Sequence, residues 1–227
     1  MISRYNEKNC WQWVGGMALL GKEPKISNSV VRRLPVYLRL MQTLKNQNIT
    51  TVSSQEMGLR LDMNPAQIRK DLAYFGEFGR KGVGYEVDYL ERKLCQILNL
   101  DRHIGVALIG VGHLGIALSN YTRFQSEHIA IAGLFDMDPQ KIGSQVGSLV
   151  VQDVRELAAT VNDKNIQMGI IAVPAPAAQQ VCDELIEAGV KIILNFAPVN
   201  LRVPKEVVLR NTDFTTELQS LAYFIAD

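Results

Sequence analysis

The sequence predicts an α/β chain in two parts: a short helical part ending in a glycine-rich hairpin, then a longer part built on a parallel sheet. Three observations predict it. Ile104 to Ile109 is an apolar run of the kind a strand buried on both faces needs. It leads into Gly110-Val-Gly112-His-Leu-Gly115, a helical stretch, a second apolar run from Ile129 to Phe135, and the acid Asp136. Residues 26–85 instead show capped helical patterns followed by four glycines around a basic pair. Charge divides along the same line. Residues 22–85 carry eleven Lys and Arg against five Asp and Glu, a net +6 in a chain of +1, so the remainder carries −5. A basic part beside an acidic remainder points to a polyanion partner for the first part only.

The bulk numbers exclude several classes. A chain of 227 residues, 47% hydrophobic and 21% charged, can bury a sizeable core. Cys10, Cys95 and Cys182 are far apart and show no CxxC or Cys/His spacing, so neither a disulfide framework nor a zinc site is expected, and a reducing cytoplasm is. No apolar run approaches the roughly 20 residues that cross a bilayer.

Residues 1–24 show neither helical nor strand period and hold both tryptophans, so they read as a poorly ordered leader. Met17 is then a candidate true start; the alternative is a short docking arm using Trp11 and Trp13. Val30, Leu34, Tyr37/Leu38, Met41 and Leu44 recur at three and four, predicting a helix from Val30 to Asn46 with Pro35 near its first turn. Ser53-Ser-Gln-Glu56 is a capping box opening a helix from Ser54 to Leu61. After a turn at Asp62-Met63, Asn64 and Pro65 open a third helix. That helix turns Ile68, Leu72 and Phe75 one way and leaves Gln67, Arg69, Lys70 and Tyr74 on other faces.

Two short helices across a brief turn, the second carrying amide and guanidinium groups, form a helix-turn-helix candidate, because amides match adenine and arginine matches guanine in the major groove. The glycine hairpin from Gly76 to Tyr85, with Arg80 and Lys81 near its tip, suits the wing of a winged helix. Asn64, Gln67, Arg69, Lys70, Tyr74, Arg80, Lys81 and Tyr85 are the candidate DNA-contacting residues. The bland alternative is a solvated basic face. An acidic cap at Asp88 starts a further helix to about Asn99, and the domain boundary is expected there, giving a winged helix-turn-helix domain over 25–99.

The run from Ile104 to Asp136 then predicts a Rossmann-type domain over 100–212. Gly110 permits the tight turn, Gly112 lets a pyrophosphate approach the backbone, and Gly115 lets helix pack on strand, while Asp136 stands where a carboxylate would hold an adenosine ribose. The free N–H groups of the helix start face the phosphates. Further elements follow as a short helix at Pro139–Gly143, a minor strand at Val150–Val151, a helix from Asp153 to Val161 and a strand from Met168 to Val173. A helix after Pro174, a strand at Lys191–Leu194 and a strand at Glu206–Arg210 complete the sheet domain. The last helix, over 213–227, carries Phe214, Leu218, Leu221 and Ile225 as an apolar stripe that must lie on its own sheet or on a second subunit.

The segments IRKDLAYFGEFGRKGVGY, ALIGVGHLGIAL, LNFAPVNLRVP and TDFTTELQSL closely resemble the redox-sensing transcriptional repressors of the Rex family, in order from about Ile26 to the C terminus. The resemblance implies a homodimeric repressor of fermentative and anaerobic genes that leaves a palindromic, AT-rich operator when NADH binds and responds poorly or not at all to NAD⁺. It implies that Val111, Gly112, His113 and Leu114 lie against the pyrophosphate between Gly110 and Gly115, with Asp136 on the ribose. Pro174, Asn195 and Phe196 would border the nicotinamide side, and Phe214, on a last helix swapped from the partner subunit, would approach the ring. Arg39, Tyr121 and Asp213 would form a switch in which arginine and tyrosine compete for the acid. Spacing alone favours a solvated Arg39, a core Tyr121 and a simple N-cap at Asp213.

Two rival functions stay open. A small NAD-dependent oxidoreductase needs a substrate pocket and an acid or base beside the reacting carbonyl. His103, His113 and His128 sit at strand starts or in the glycine turn, and no catalytic residue and no metal ligand is assigned. A CoA-binding regulatory module shares the glycine-rich fold, but a carboxylate at 136 would repel a phosphorylated ribose.

Overall fold

The structure, a computed structural model, describes residues 26–80, 82–121, 124 and 128–225. The expected leader of residues 1–24, and Lys81, lie outside the described residues. The chain divides into two units between Leu94 and Cys95, a few residues before the expected boundary at 99/100.

In the first unit, α1 (Asn28–Asn46) starts two residues earlier than the periodicity indicates, because Ser27 caps it by accepting from the Val30 N–H. Pro35 is therefore inside the helix rather than in its first turn. The helix tolerates it because Val31, whose carbonyl loses its partner, is on the solvent side. Strand β1 (Thr51–Val52) precedes α2 (Ser54–Leu61) and α3 (Pro65–Ala73), both with the expected starts. Ser53 accepts from the Glu56 N–H at 3.1 Å, but the Glu56 carboxylate pairs with Arg60 instead of reaching back, so half of the capping box forms. Asp62 makes the turn at φ 51°, and Asn64 Oδ1 accepts from the Ala66 N–H at 2.8 Å. Strands β2 (Gly79–Arg80) and β3 (Gly84–Glu86) form the antiparallel hairpin, and β1 adds to β3, giving the order β1-β3-β2. Helix α4 (Val87–Ile97) follows β3 directly. Its first N–H, from Val87, bonds to Thr50 O at 2.9 Å, so Asp88 lies in the first turn and is not the cap.

The second unit is a seven-stranded sheet in the order β10-β9-β8-β4-β5-β7-β6. Its strands are β4 (Ile104–Ile109), β5 (Ile129–Asp136), β6 (Gln145–Val146), β7 (Leu149–Asp153), β8 (Ile166–Ile171), β9 (Ile192–Asn195) and β10 (Val208–Asn211). All neighbours pair in parallel except the edge hairpin β6-β7. Alternation along β4 builds a core on each face. Ala107 and Ile109 join Phe135, Leu157, Val181 and Leu185 on one side; Val106 and Leu108 join Leu134, Val151 and Ile170 on the other.

Crossover helices are α5 (His113–Ser119), α6 (Leu157–Asp163) and α7 (Ala175–Glu187), and α8 (Phe214–Ala222) is the last helix of the described chain. The helix expected at Pro139–Gly143 is a turn, because Gly143 adopts φ 84° and sends its N–H to Val151 O instead of continuing the spiral. The helix expected from Asp153 begins as a 3-10 turn at Val154–Glu156, with Asp153 capping it through the Arg155 N–H. No residue of α8 is buried: Phe214, Leu218 and Leu221 are 59%, 67% and 60% exposed. Among the described residues no helix is long and apolar enough to cross a membrane.

Candidate functional site

In the strand order of the second unit, connections leave β4 toward β5 on one side and return to β8 on the other. The carboxyl ends of β4 and β8 therefore frame the topological switch point, where open α/β sheets bind ligands. A crevice of about 470 Å³ is there, lined by Gly110, Gly112, His113, Leu114, Asp136, Lys141 and Pro174 among others. Two glycines shape it. Gly110 has φ 99°, and a Cβ there would be 2.5 Å from Ala172 O, the first residue after β8. A Cβ on Gly115 would be 2.0 Å from Gly110 O, so only glycine lets α5 pack this close to the end of β4. At Gly112, by contrast, a Cβ would meet nothing within 4 Å. Gly112 caps α5 without any side-chain hydrogen bond, leaving the first-turn N–H groups open to the crevice.

Asp136 closes the end of β5 and is 6% exposed. Its Oδ2 accepts from the Val111 N–H at 2.8 Å and from Lys141 Nζ at 3.0 Å, and its Oδ1 accepts from the Asp138 N–H at 3.0 Å. Burial pushes this carboxyl up, but the Asp138 and Val111 N–H groups and then Lys141 outweigh burial and hold it below the usual carboxylate range. It is thus an ionised acceptor at the crevice floor. Val111, expected to lie against a pyrophosphate, has its N–H taken by Asp136 and its side chain buried. Asn195 also departs from expectation. It is fully buried, its amide nitrogen donates to Ala197 O, Val199 O and Asn211 Oδ1, and its oxygen accepts from the Ala197 N–H. These bonds commit the Asn195 amide to shaping the turn after β9. Phe196 follows it, with the Phe214 ring of the same chain 6.0 Å away.

Residue periodicity missed Lys141, Gln180 and Glu184 in the crevice. A lysine five positions after a strand-end acid, and a Gln/Glu pair four apart on α7, were the available signals.

In the first unit, α3 and the hairpin border an open cleft of about 850 Å³. Arg69 is exposed and donates to Ser54 Oγ at 2.8 Å; Lys70, Tyr74 and Arg80 are also exposed. Asn64 has its oxygen committed to the cap, and Gln67 donates to Asp71 at 2.6 Å. Tyr85 is not a DNA-facing side chain: it is 8% exposed, with its ring packed over Gly79, where a Cβ would approach it to 2.8 Å. Burial pushes its phenol up, partly offset by Arg69. Of the proposed switch, Arg39 is exposed on α1 and Tyr121 is half exposed, with its ring edge-on to Phe124 at 5.1 Å. Asp213 caps α8 by accepting from the Thr215 N–H and the Thr216 hydroxyl, both at 2.9 Å, with the Thr216 hydroxyl contributing most to holding its carboxyl below the usual range.

Comparison with known proteins separates the candidate families. A family described as "Putative DNA-binding protein N-terminus" matches residues 25–73, and one described as "CoA binding domain" matches residues 101–199. The redox-sensing transcriptional repressor Rex of Brevibacillus brevis is 53% identical over 206 residues, 91% of this chain and 100% of that protein. The chain belongs to the Rex family. Two solved structures of RSP, a Rex-family repressor, have the same architecture. The complex of RSP with β-NAD⁺ and operator DNA is 36% identical, with a TM-score of 0.84 over 88% of this chain and 92% of that one. The complex with β-NADH is 34% identical, with a TM-score of 0.79 over 88% and 94%. The winged helix followed by a Rossmann-type sheet is therefore the Rex fold, and the Rex relatives are transcriptional repressors.

Proposed function

We propose that this Rex-family protein is a repressor that holds operator DNA through its winged-helix unit and leaves it when NADH occupies the crevice at the β4/β8 switch point. The observation that carries this reading is that crevice. It combines a helix start without a side-chain cap, an open space at Gly112 that a diphosphate can fill, and an ionised Asp136 suited to a ribose hydroxyl. The relatives' structures with β-NAD⁺, β-NADH and operator DNA support the same pairing of ligands. The operator is read as a palindromic, AT-rich duplex bound by a homodimer in the cytoplasm, with α8 covered by the second subunit. Arg69, Lys70 and Arg80 face the DNA, and Asp213 exchanges between Arg39 and Tyr121 as the ligand changes. No catalytic step is assigned: the dinucleotide is sensed, not consumed.

A second reading has its own support, since residues 101–199 match the family described as a CoA binding domain. Asp136 disfavours it, because a carboxylate suits an unphosphorylated ribose. One titration separates the readings. NADH, NAD⁺ and CoA are each added to the protein bound to an AT-rich palindromic duplex, and release is followed by fluorescence anisotropy. Release by NADH at far lower concentration than by the other two is expected. Release by CoA alone, release by neither nucleotide, or steady NADH turnover with a small carbonyl compound would overturn the NADH-sensor reading. By linkage, operator DNA must weaken NADH binding by the factor with which NADH weakens DNA binding.

A further inference from the structure

Asp71 is on the inner face of α3 with both carboxylate oxygens engaged. Its Oδ1 accepts from Arg33 Nη2 at 2.8 Å and from Gln67 Nε2 at 2.6 Å; its Oδ2 accepts from Arg33 Nε at 2.5 Å and from the Tyr37 hydroxyl at 2.7 Å. Asp71 and Tyr37 are both fully buried. A lone buried carboxylate would take up a proton, but the fork of Arg33 with the added donors keeps this one ionised. Burial pushes it up, and the hydrogen bonds from Arg33, Tyr37 and Gln67 outweigh that and bring it below the usual range.

An ionised carboxylate can only accept. Gln67 must therefore turn its amide N–H toward Asp71 and never its oxygen. That fixes the flip of an amide which on an open helix surface would be free to present either end. Gln67 is the third residue of α3, in the amino-terminal part of the helix that reaches base edges in helix-turn-helix proteins. Its Oε1 takes no hydrogen bond among the described residues, and its second N–H is uncommitted. An outward oxygen beside an N–H matches the N6 donor and N7 acceptor of adenine. Guanine presents two acceptors on the same edge, which only a flipped or rotated amide could satisfy.

We propose that Asp71 is a positioning residue that locks the amide of Gln67 so that it selects adenine over guanine at one position of each operator half-site. This rests on the DNA-binding reading above. The pair Arg33 and Tyr37 act through Asp71, tying α1 to the reading helix.

The test measures binding of the full-length protein to a panel of duplexes in which every base pair of a half-site is varied in turn. The wild-type protein should prefer adenine to guanine by roughly tenfold at one position. Gln67→Ala should abolish the preference there and leave the other positions unchanged. Asp71→Asn, whose amide can offer Gln67 a donor, should relax the same position to within about threefold and leave the salt dependence unaltered, since no phosphate contact is removed. A merely structural role for Asp71 would lower affinity at all positions in parallel, and that result overturns the proposal, as does a preference that survives Gln67→Ala. Should Asp71→Asn fail to fold, the wild-type protein decides through the NMR signals of the Gln67 side-chain amide. Of its two N–H protons, the one donated to Asp71 is expected to exchange with solvent more slowly than in a free glutamine, and equally fast exchange of both would overturn the lock. If the wild-type protein binds no duplex, the DNA-binding reading falls and takes this proposal with it.

Discussion

Replacing Gly112 with alanine separates ligand approach from folding. A Cβ at this position meets nothing within 4 Å, and the backbone, at φ −90°, is one that alanine adopts. The cost to the fold is limited to exchanging one helix-start residue for a poorer one, on the order of 0.5 kcal/mol. The methyl does occupy the space through which a diphosphate would reach the first-turn N–H groups of α5. Losing one hydrogen bond to a charged group costs about 1.5–3 kcal/mol, or roughly ten- to a hundredfold in NADH affinity. Gly115→Ala is the contrast. Its Cβ would be 2.0 Å from Gly110 O, a backbone atom rather than the yielding end of a flexible side chain. Helix α5 must move by about 1 Å, and overpacking of this kind costs about 1–3 kcal/mol. Urea unfolding and an NADH fluorescence titration on both variants give the readout. Gly112→Ala should unfold with the wild-type protein yet bind NADH at least tenfold more weakly, while Gly115→Ala should lose both stability and binding. An unchanged NADH affinity in Gly112→Ala would refute the placement of the diphosphate at this turn.

Five further outcomes are expected. Arg33→Ala leaves Asp71 as an unpaired buried charge and should cost about 3 kcal/mol or more in urea unfolding. Because the Asp71 carboxyl is lowered in the folded chain, its contribution is present above the ordinary aspartate value of 3.8 and is lost as pH falls through the lower folded value, so Asp71→Asn should flatten that acid limb of stability against pH. Asp136→Ala should weaken NADH binding by about tenfold, and, by orphaning the Val111 N–H, lower stability by about 1–3 kcal/mol; full retention of NADH affinity would remove Asp136 from the ribose. Arg69→Ala and Lys70→Ala should each weaken DNA binding with a shallower salt dependence and leave NADH affinity intact, whereas parallel loss of both activities in a binding assay would indicate misfolding. Asp213→Ala should bind both ligands but fail to release DNA on NADH addition; normal release would exclude it from the coupling.

Local chemistry made most of the fold legible. The start of α3 at Pro65, the bounds of α2 and those of β4 follow from residues adjacent in sequence: a capping amide, a serine, an apolar run ended by glycine. Expectations failed where a distant partner decides. The Pro139–Gly143 stretch is a turn because Gly143 bonds to Val151, and α4 starts at Val87 because Thr50 supplies the acceptor. Within the crevice, glycine spacing located the turn, but spacing could not show that Asp136 already holds the Val111 N–H, nor that Asn195 is saturated by its own loop. Tyr85 illustrates the same limit: in a wing an aromatic beside basic residues suggests DNA, and only the close pass of Gly79 reveals that the ring packs inward. Residue periodicity passed over Asp71, although an acid beside Ile68 and Leu72 on the apolar side of α3 is in a position where a carboxylate demands partners.

Helix α8 has nine residues and no buried side chain, and the aromatic and aliphatic residues from Tyr223 to Ile225 beyond it are more than 70% exposed. Helices shorter than about 12–15 residues are marginal in water on their own. Under the proposed homodimer the order of this segment is linked by mass action to the second subunit, and dilution competes with that cover. Protein concentration becomes a hidden variable in any effector titration. Susceptibility of the segment around Phe214–Ile225 to a protease, followed across a dilution series, would report how much of the protein is assembled at the concentration where the titration is read.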